Sequence, residues 1–313
     1  MGFIPPVTSG TWSIIKVGKQ QLVRRRSGIS PSVSVWLNMK RVLVVGGSGR
    51  LGKRIVRVLV EKEVPVLVGA RDPQRAEETV RAYLREAGLS NKGDLQFVAH
   101  DLTEPAAVQA EKVFRPHDID VVIDAAGPRR LTPLEPLSID FKGNRELIRA
   151  ACTGPGTAHF ILVTALATGR FGWPAGLLNL AYGILFWKRR AELFLIDQVR
   201  KTAARTLTQD RVGTETRSTA ASGGGIKQFT IVRPSGLERA TDNWGDTHAL
   251  RIHPADTLFK GSVSRLQVAQ VCVTAALHPD ASRNKIFELT TEEGPLAADL
   301  LQLMDRIPSL DVS

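Results

Sequence analysis

The sequence is poor in cysteine and has no acidic residue before Glu61. Its two cysteines, Cys152 and Cys272, are too few for a disulfide framework and lack metal-ligand spacing, so we expect reduced thiols and no metal site. The N-terminal region also lacks the apolar core of about 7–15 residues that a secretory signal needs.

The formal net charge of +11 comes entirely from the first sixty residues. Eleven of the 42 basic residues precede Glu61, and the remaining 31 balance the 31 acidic residues. Because the rest of the chain carries no net charge, a nucleic-acid partner is not expected.

Residues 1–38 hold five basic residues, six serines and no acid. This composition is typical of an organellar transit peptide. A disordered tail is the alternative, and Met39 also allows for a misassigned start codon. We therefore expect one folded domain over residues 39–313.

Apolar strands and helical patterns alternate along that domain, which predicts an α/β fold. The strands are predicted at 41–46, 65–70, 95–99, 120–125, 159–165 and 227–232, and the helices at 51–62, 73–87, 104–114, 136–152 and 174–198. Such alternation favours a Rossmann, doubly wound parallel sheet covered on both faces. A helix near 263–278, a short strand at 285–289 and a helix near 296–306 predict a small C-terminal α/β lobe over 234–313.

Residues 200–225 are rich in Thr, Ser, Ala and Gly and contain almost no large apolar residue. We interpret them as a flexible insertion, because they offer too little apolar surface to bury. A functional lid and a gene-model error are the alternatives.

A glycine-rich loop lies between the first strand and its helix, an order typical of a dinucleotide-binding turn. Gly47 is expected to permit the turn, Gly49 to admit a pyrophosphate, and Gly52 to let the helix pack closely. The alternative is a Rossmann-like domain that has lost its ligand. The predicted cofactor-binding residues of this loop are Gly46, Gly47, Ser48, Gly49, Arg50, Leu51 and Gly52.

The second strand ends in Arg71, where NAD-selective folds place an acid that binds the ribose 2′-hydroxyl. A guanidinium there suits the 2′-phosphate of NADP, and Arg50 and Arg75 are candidates for the same pocket. The cofactor is therefore predicted to be NADP (NADPH), with NAD less favoured. The alternative is a solvated Arg71 that pairs with Asp72.

Two further segments follow strands at the same predicted edge. Asp101 and Leu102 follow the third strand, where the adenine would pass, and Ala126 and Gly127 close the fourth, near the nicotinamide. The alternatives are that Asp101 caps a helix near Glu104 and that the small residues only pack tightly.

These elements resemble the short-chain dehydrogenase/reductase superfamily in its atypical, NmrA-like branch. Classical members of the superfamily use a serine after the fifth strand and a Tyr-x-x-x-Lys on the next helix. Thr164 occupies the serine's neighbourhood and Lys188 matches the lysine, but Ile184 stands where the tyrosine is expected. Tyr182 lies six residues before Lys188, on another face of the helix. The catalytic residues therefore stay unassigned.

The runs FGWP, WKRRAE, TIVRP, DTLF and LQVA resemble the dehydrogenase-like Tic component of the chloroplast inner-envelope translocon and its algal and cyanobacterial relatives. The resemblance implies NADP(H) binding, a redox-sensing or weak reductase role, and shuttling between stroma and chloroplast membranes. The sequence given stops at Ser313, before any Pro/Ser-rich repeats through which plant members bind ferredoxin–NADP reductase, so that partner is not carried over.

The run from Phe171 to Trp187 has no charge over seventeen residues and is followed by three basic ones. Its length is at the lower limit for a membrane span, and its Gly and Pro favour a buried helix instead. No transmembrane span is expected; the aromatic ends and basic flank suit peripheral docking on a membrane.

Two functions follow from these patterns. The first is a plastid NADP(H)-binding protein, in the stroma and peripherally membrane-associated, that senses redox state or supports a membrane complex, with the mitochondrion as the alternative location. The second is an NADPH-dependent oxidoreductase that acts on a small carbonyl or a quinone. An assembly or RNA-associated scaffold is a third, less favoured class.

Overall fold

The computed structural model describes residues 13–17, 20–24, 41–89, 93–128, 132, 134–153, 157–169, 183–211, 224–238, 242–294 and 299–312, and for 13–17, 20–24 and 209–211 it describes the backbone alone. The chain divides into two units, Met1–Asn38 and Met39–Ser313. In the first unit, strand β1 (Ser13–Val17) pairs antiparallel with strand β2 (Gln20–Arg24).

The second unit is built on a sheet to which the described residues contribute eight strands. Its strands in chain order are β3 (Val42–Val45), β4 (Val66–Ala70), β5 (Leu95–Ala99), β6 (Val121–Asp124), β7 (His159–Val163), β8 (Gln228–Pro234), β10 (His248–His253) and β12 (Lys285–Glu293). Two further short strands, β9 (Gly236–Leu237) and β11 (Ser262–Val263), pair parallel with each other.

The strands of this sheet lie in the order β10-β12-β8-β7-β6-β3-β4-β5, and all neighbours are parallel except β10 and β12. From β3 the chain moves outward to β4 and β5, then crosses to β6 on the other side of β3. The winding direction therefore reverses between β3 and β6, which is the point where open α/β sheets bind ligands.

Helices cover both faces of the sheet. Their bounds are α1 (Gly52–Glu61), α2 (Pro73–Glu86), α3 (Ala106–Gln109), α4 (Asn144–Thr153), α5 (Ile184–Arg211), α6 (Arg265–Leu277), α7 (Pro279–Ser282) and α8 (Leu300–Asp305), with π-helical turns at Ala110–Phe114 and Pro136–Gly143 and a 3₁₀ turn at Asp242–Asp246. Successive strand side chains point to opposite faces. Leu43, Val45, Phe160 and Leu162 accordingly share one core with residues of α4 and α5.

Local sequence signals fix several helix ends. Helix α2 begins with Pro73, and the Asp72 carboxylate accepts the N–H of Arg75. Ser264 and Gln267 form a capping box at the start of α6, in which each side chain accepts a backbone N–H from the other residue. These ends agree with the predicted ones within about two residues.

The predicted strands and the Rossmann-like class are confirmed, as are the predicted helices within the described residues; the first part of the helix predicted at 174–198 lies outside them. The third helix begins later than predicted, at Ala106, and ends in a π turn. The C-terminal part adds β10 and β12 to the central sheet, and the predicted strand at 285–289 extends to Glu293.

The loop prediction is wrong for residues 200–211, which continue helix α5. The threonine hydroxyls that favoured a loop instead bond to the carbonyl four residues earlier, as from Thr202 to Gln198 and from Thr206 to Thr202. Alanine, arginine and leucine are good helix formers and complete the turns. Residues 212–223 lie outside the described residues.

Candidate functional site

The glycine loop lies at the switch point, at the carboxyl end of β3. Its left-handed residue is Gly46, with φ of 71°, rather than the predicted Gly47. The N–H of Gly49 donates to the carbonyl of Gly46 at 2.9 Å and closes the turn. A side chain on Gly46 would also press on the backbone of Ala126, about 3.0 Å away.

Two glycines of the loop are required by packing. A Cβ on Gly47 would lie 2.7 Å from Val68 of β4, and a Cβ on Gly52 would lie 2.1 Å from the carbonyl oxygen of Gly46. Helix α1 therefore starts directly against the loop, as the sequence predicts for Gly52. Within this loop Ser48 is half-buried, Arg50 is exposed, and Leu51 packs in the core.

The N-terminus of α1 suits an anion. Its first turn holds no acid, and no side chain caps it. The positive end of the helix dipole and the unpaired N–H groups of the first turn therefore face the loop, an arrangement that suits a pyrophosphate. Lys53 and Arg54 follow Gly52, but Lys53 lies over the ring of Tyr83 and Arg54 pairs with Asp242.

Arg71 is exposed just beyond β4. The neighbouring Asp72 caps α2 and makes no ion pair with Arg71 in the described part of the chain, contrary to the alternative interpretation. The charge of Arg71 reaches Asp101. Burial opposes ionisation of Asp101, but hydrogen bonds from Thr103, together with Arg71, hold the pKa of its carboxyl below the usual value.

Asp101 bonds to Thr103 in a turn before α3 and does not cap a helix near Glu104. The Leu102 side chain is buried in the core, where it packs against Gly143. On the other side of the switch point Gly127 is exposed, and a side chain added to it would meet nothing within 4 Å. Within the described residues, the edge beside Ala126 is therefore uncovered at Gly127.

Lys188 lies in a buried group of charges that we call the Asp124 cluster (Asp124, Asp140 and Lys188). Its Nζ donates to Asp140 Oδ1 at 2.7 Å. Asp124, the last residue of β6, accepts the N–H of Ala126 at 3.0 Å. Burial raises the pKa of Asp140 and raises the pKa of Asp124 to about 7, although Lys188 acts against both shifts.

Thr164 bonds to a different group of charges, the Arg233 cluster (Glu192, Arg233, Asp256 and Glu288), in which all members except Asp256 are buried. Its hydroxyl donates to Glu192 Oε1 at 2.7 Å. Arg233 binds both oxygens of Glu192, at 3.0 and 2.7 Å, and reaches Asp256 at 3.0 Å and Glu288 at 3.3 Å. Burial opposes charge on Glu192, but Arg233 and the hydrogen bonds more than offset it, so the pKa of Glu192 lies below its usual value.

A third group joins the glycine loop to the C-terminal part of the chain. Arg54 of α1 donates to Asp242 and also to the carbonyl of Arg50 inside the loop. The second oxygen of Asp242 accepts the hydroxyl of Tyr83 from α2. The carboxylate of Asp242 thus connects helices α1 and α2, and through Arg54 the glycine loop, to the turn after β9.

Four charged residues of these groups are not among those predicted from the sequence: Asp124, Asp140, Arg233 and Asp242. A charged residue that ends or interrupts a fully apolar strand is a usable signal, as in VVID for Asp124 and TIVRP for Arg233. Ile184 is the first residue of α5, and Tyr182 lies outside the described residues.

The described residues contain no group of His, Cys, Asp or Glu that could hold a metal ion. Among the helices within these ranges, none is long and apolar enough to cross a membrane. The uncharged run at 171–187 is described only from residue 183.

Comparisons with known proteins agree with this geometry. A sequence family described as NAD(P)H-binding matches residues 46–199. The chain is 35% identical to the chloroplast protein TIC 62 of Pisum sativum, over 86% of this chain and 46% of that protein. It is 31% identical to an uncharacterized chloroplast protein of Arabidopsis thaliana, over 82% of this chain and 79% of that one.

The chain thus spans less than half the length of the TIC 62 proteins that it matches. Among solved structures, an oxidoreductase from Lactococcus lactis, ylbE, is similar in fold with a TM-score of 0.58 and 19% identity, over 85% of this chain and 95% of that one. The chain belongs to an NAD(P)H-binding family and is homologous to the chloroplast TIC 62 proteins and to the chloroplast protein of Arabidopsis thaliana.

Proposed function

We propose that this chain is a plastid NADP(H)-binding protein that senses redox state or supports a membrane-associated complex. The observation that carries the proposal is the glycine cradle at the switch point, where Gly46, Gly47 and Gly52 leave no room for side chains. The chloroplast names of the relatives and the acid-free residues 1–38 support the location.

Arg71 supports the choice of NADP over NAD. It is exposed beside the cradle, it is not used by Asp72, and its charge acts on Asp101 at the next strand. A guanidinium at this place binds a dianionic phosphate better than a neutral hydroxyl. The cofactor-binding set is proposed to be the loop residues 46–52 with Arg71, Asp101, Leu102, Ala126, Gly127, Thr164 and Lys188.

Ile184 in place of the tyrosine acid supports a sensing role over efficient carbonyl reduction. The alternative, an NADPH-dependent oxidoreductase on a small carbonyl or a quinone, is favoured by the buried acid Asp124 beside Lys188. A screen of NADPH oxidation with quinones and aldehydes separates the two functions. Turnover that Lys188→Ala abolishes supports the enzyme.

Calorimetric titration of the full chain with NADPH, NADP⁺ and NADH tests the proposal. Arg71→Ala should weaken NADPH binding roughly 10- to 100-fold, because a charge-assisted contact contributes about 1.5–3 kcal/mol, and should change NADH binding little. Arg85→Ala, at the other end of α2, is the matched control and should leave both affinities unchanged.

Equal losses for NADPH and NADH would reject Arg71 as the phosphate ligand. No saturable binding up to millimolar nucleotide would reject the proposed function. A reporter protein fused to residues 1–40 should enter plastids. Cytosolic fluorescence of the reporter would reject the plastid location.

A further inference from the structure

Asp124 occupies an unusual position for a carboxylate. It ends β6 at the switch point, opposite Val45 of β3 and Leu162 of β7, and its side chain is buried. One carboxylate oxygen accepts the N–H of Ala126, the residue directly before the exposed Gly127. The other oxygen, Oδ2, is buried and has no donor within the described residues.

The surroundings of Asp124 contain an unbalanced set of charges. Lys188 of α5 and Asp140 of the π-helical turn act on it, whereas its partners on both neighbouring strands are apolar. Helix α6, which also contacts β6, is uncharged after Arg265. The cluster thus holds one cation against two carboxyl groups.

Buried acceptors in and beside this cluster are left unsatisfied. Asp140 Oδ2 is buried and, like Asp124 Oδ2, accepts from no donor in the described part of the chain. The same holds for Oδ1 of the adjacent Asn144, whose amide donates to the carbonyl of Asp140. Unpaired buried acceptors are costly, so an exchangeable proton or a bound donor belongs there. Lys188 donates to Asp140 and not to Asp124. Asp124 is therefore the group that takes the proton, and burial raises its pKa to about 7.

We propose that the Asp124 cluster distinguishes oxidised from reduced dinucleotide by charge, with Asp124 ionised beside the cationic nicotinamide ring and protonated beside the neutral one. This inference rests on the proposed binding of NADP(H) at the cradle. Asp124 lies next to Ala126 and the open edge at Gly127, which follow the strand on the nicotinamide side of the switch point. The cluster therefore supplies what a redox sensor needs: a protein charge that differs between the two ligand states.

The test is the ratio of the NADP⁺ and NADPH dissociation constants of the full chain, measured by calorimetry from pH 6 to 8.5. Rising pH should favour NADP⁺, and the ratio should change by up to tenfold per pH unit around pH 7, because one proton separates the two complexes. The 2′-phosphate also titrates, near pH 6, but it is common to both ligands and cancels in the ratio. Titrations in buffers of different ionisation enthalpy should show proton release with NADP⁺ only.

Asp124→Asn should make the ratio independent of pH. Asp140→Asn should move the pH-dependent range to lower pH, since Lys188 is then free to stabilise ionised Asp124. The exposed Asp280→Asn is the control and should behave as the unmodified chain.

Loss of binding to both nucleotides in the unmodified chain would reject the proposed function itself. Binding of both with a pH-independent ratio would overturn this inference alone. A slope that persists in Asp124→Asn would do the same. If Asp124→Asn does not fold, the test uses the pH dependence of the ratio in the unmodified chain and in Asp140→Asn. A pH-dependent range that is the same in both overturns the inference.

Discussion

Helix α5 carries two buried charge clusters one turn apart, and they differ in how completely their polar atoms are paired. Glu192, in the Arg233 cluster, accepts from Thr164, Thr168, Arg189 and Arg233. Lys188, in the Asp124 cluster, meets only one oxygen of Asp140 in the described part of the chain.

The Arg233 cluster is complete at its far end as well. Glu288 accepts the backbone N–H groups of Asp256, Thr257 and Leu258 at 2.8–3.0 Å, besides its contact with Arg233. Both oxygens of Glu288 and both oxygens of Glu192, the two buried carboxylates, accept hydrogen bonds. This network holds β8, β12, α5 and the 254–258 loop together.

Helix α5 thus carries one cluster that stabilises the fold and one that is suited to binding. A saturated cluster fixes a fold, since any new partner would displace an existing one. An unsaturated cluster at a sheet edge keeps acceptors ready for a proton or a donor. Four substitutions test this distinction.

Arg233→Met should have the largest effect. It leaves Glu288 buried without its cation and Glu192 with Arg189 alone, which should lower the free energy of unfolding by about 3–5 kcal/mol. Chemical denaturation measures the loss. Arg251→Met, which breaks the exposed pair with Glu292, should cost less than about 1 kcal/mol. A similar small loss in both variants would show that the Arg233 cluster does not stabilise the fold.

Asp124→Asn should change how stability depends on pH. The pKa of Asp124 rises from 3.8 to about 7 on folding, so the folded state binds more protons and loses stability as pH rises through this range. The variant should escape that loss, with a difference that grows by about 1.4 kcal/mol per pH unit between pH 4 and 7. Denaturation curves at four pH values check this. Parallel curves for the variant and the unmodified chain would contradict it, and Asp280→Asn should give parallel curves.

Lys188→Met is the counterpart of Arg233→Met in the unsaturated cluster. Asp124 and Asp140 can each take a proton when the cation is removed, so the loss of unfolding free energy should be smaller, about 1–3 kcal/mol at pH 6. It should increase at pH 8, where protonation is harder. A loss at pH 6 equal to that of Arg233→Met would remove the distinction between the clusters.

Thr164→Val should have the smallest effect, about 1 kcal/mol, because Glu192 keeps its other donors. Thr168→Val removes the second hydroxyl donor of Glu192 and should cost a similar amount. NADPH titration of both variants then assigns Thr164: a loss of affinity in Thr164→Val alone would place it at the dinucleotide.

The fold could be predicted from the sequence because its signals are local. Four or five apolar residues in a row, as in VLVV before the glycine loop, indicate a buried strand, and the spacing of Gly47, Gly49 and Gly52 follows from the turn itself. Such patterns need no knowledge of distant partners. The helix at 200–211 could not be predicted because threonine is common in loops. It fits a helix here because its hydroxyl bonds to a backbone carbonyl one turn earlier.

The clusters could not be predicted because their members meet only in three dimensions. Lys188 and Asp140 are 48 residues apart, and Arg233 and Glu288 are 55 apart. The family motif points to Lys188, whereas nothing in the sequence points to Asp140, the residue that accepts its hydrogen bond. Whether Thr164 contacts the dinucleotide or only Glu192 depends on side-chain geometry that no spacing rule contains.

Arg233 also bears on the order in which the newly made chain can be completed. Strand β8 leaves the ribosome well before β12, since Glu288 follows Arg233 by 55 residues. In that interval Arg233 can pair with Glu192 but not with Glu288. One edge of β8 has no neighbouring strand until β12, the last strand of the sheet in chain order, takes its place between β8 and β10. Burial of that apolar edge therefore has to follow the synthesis of β12.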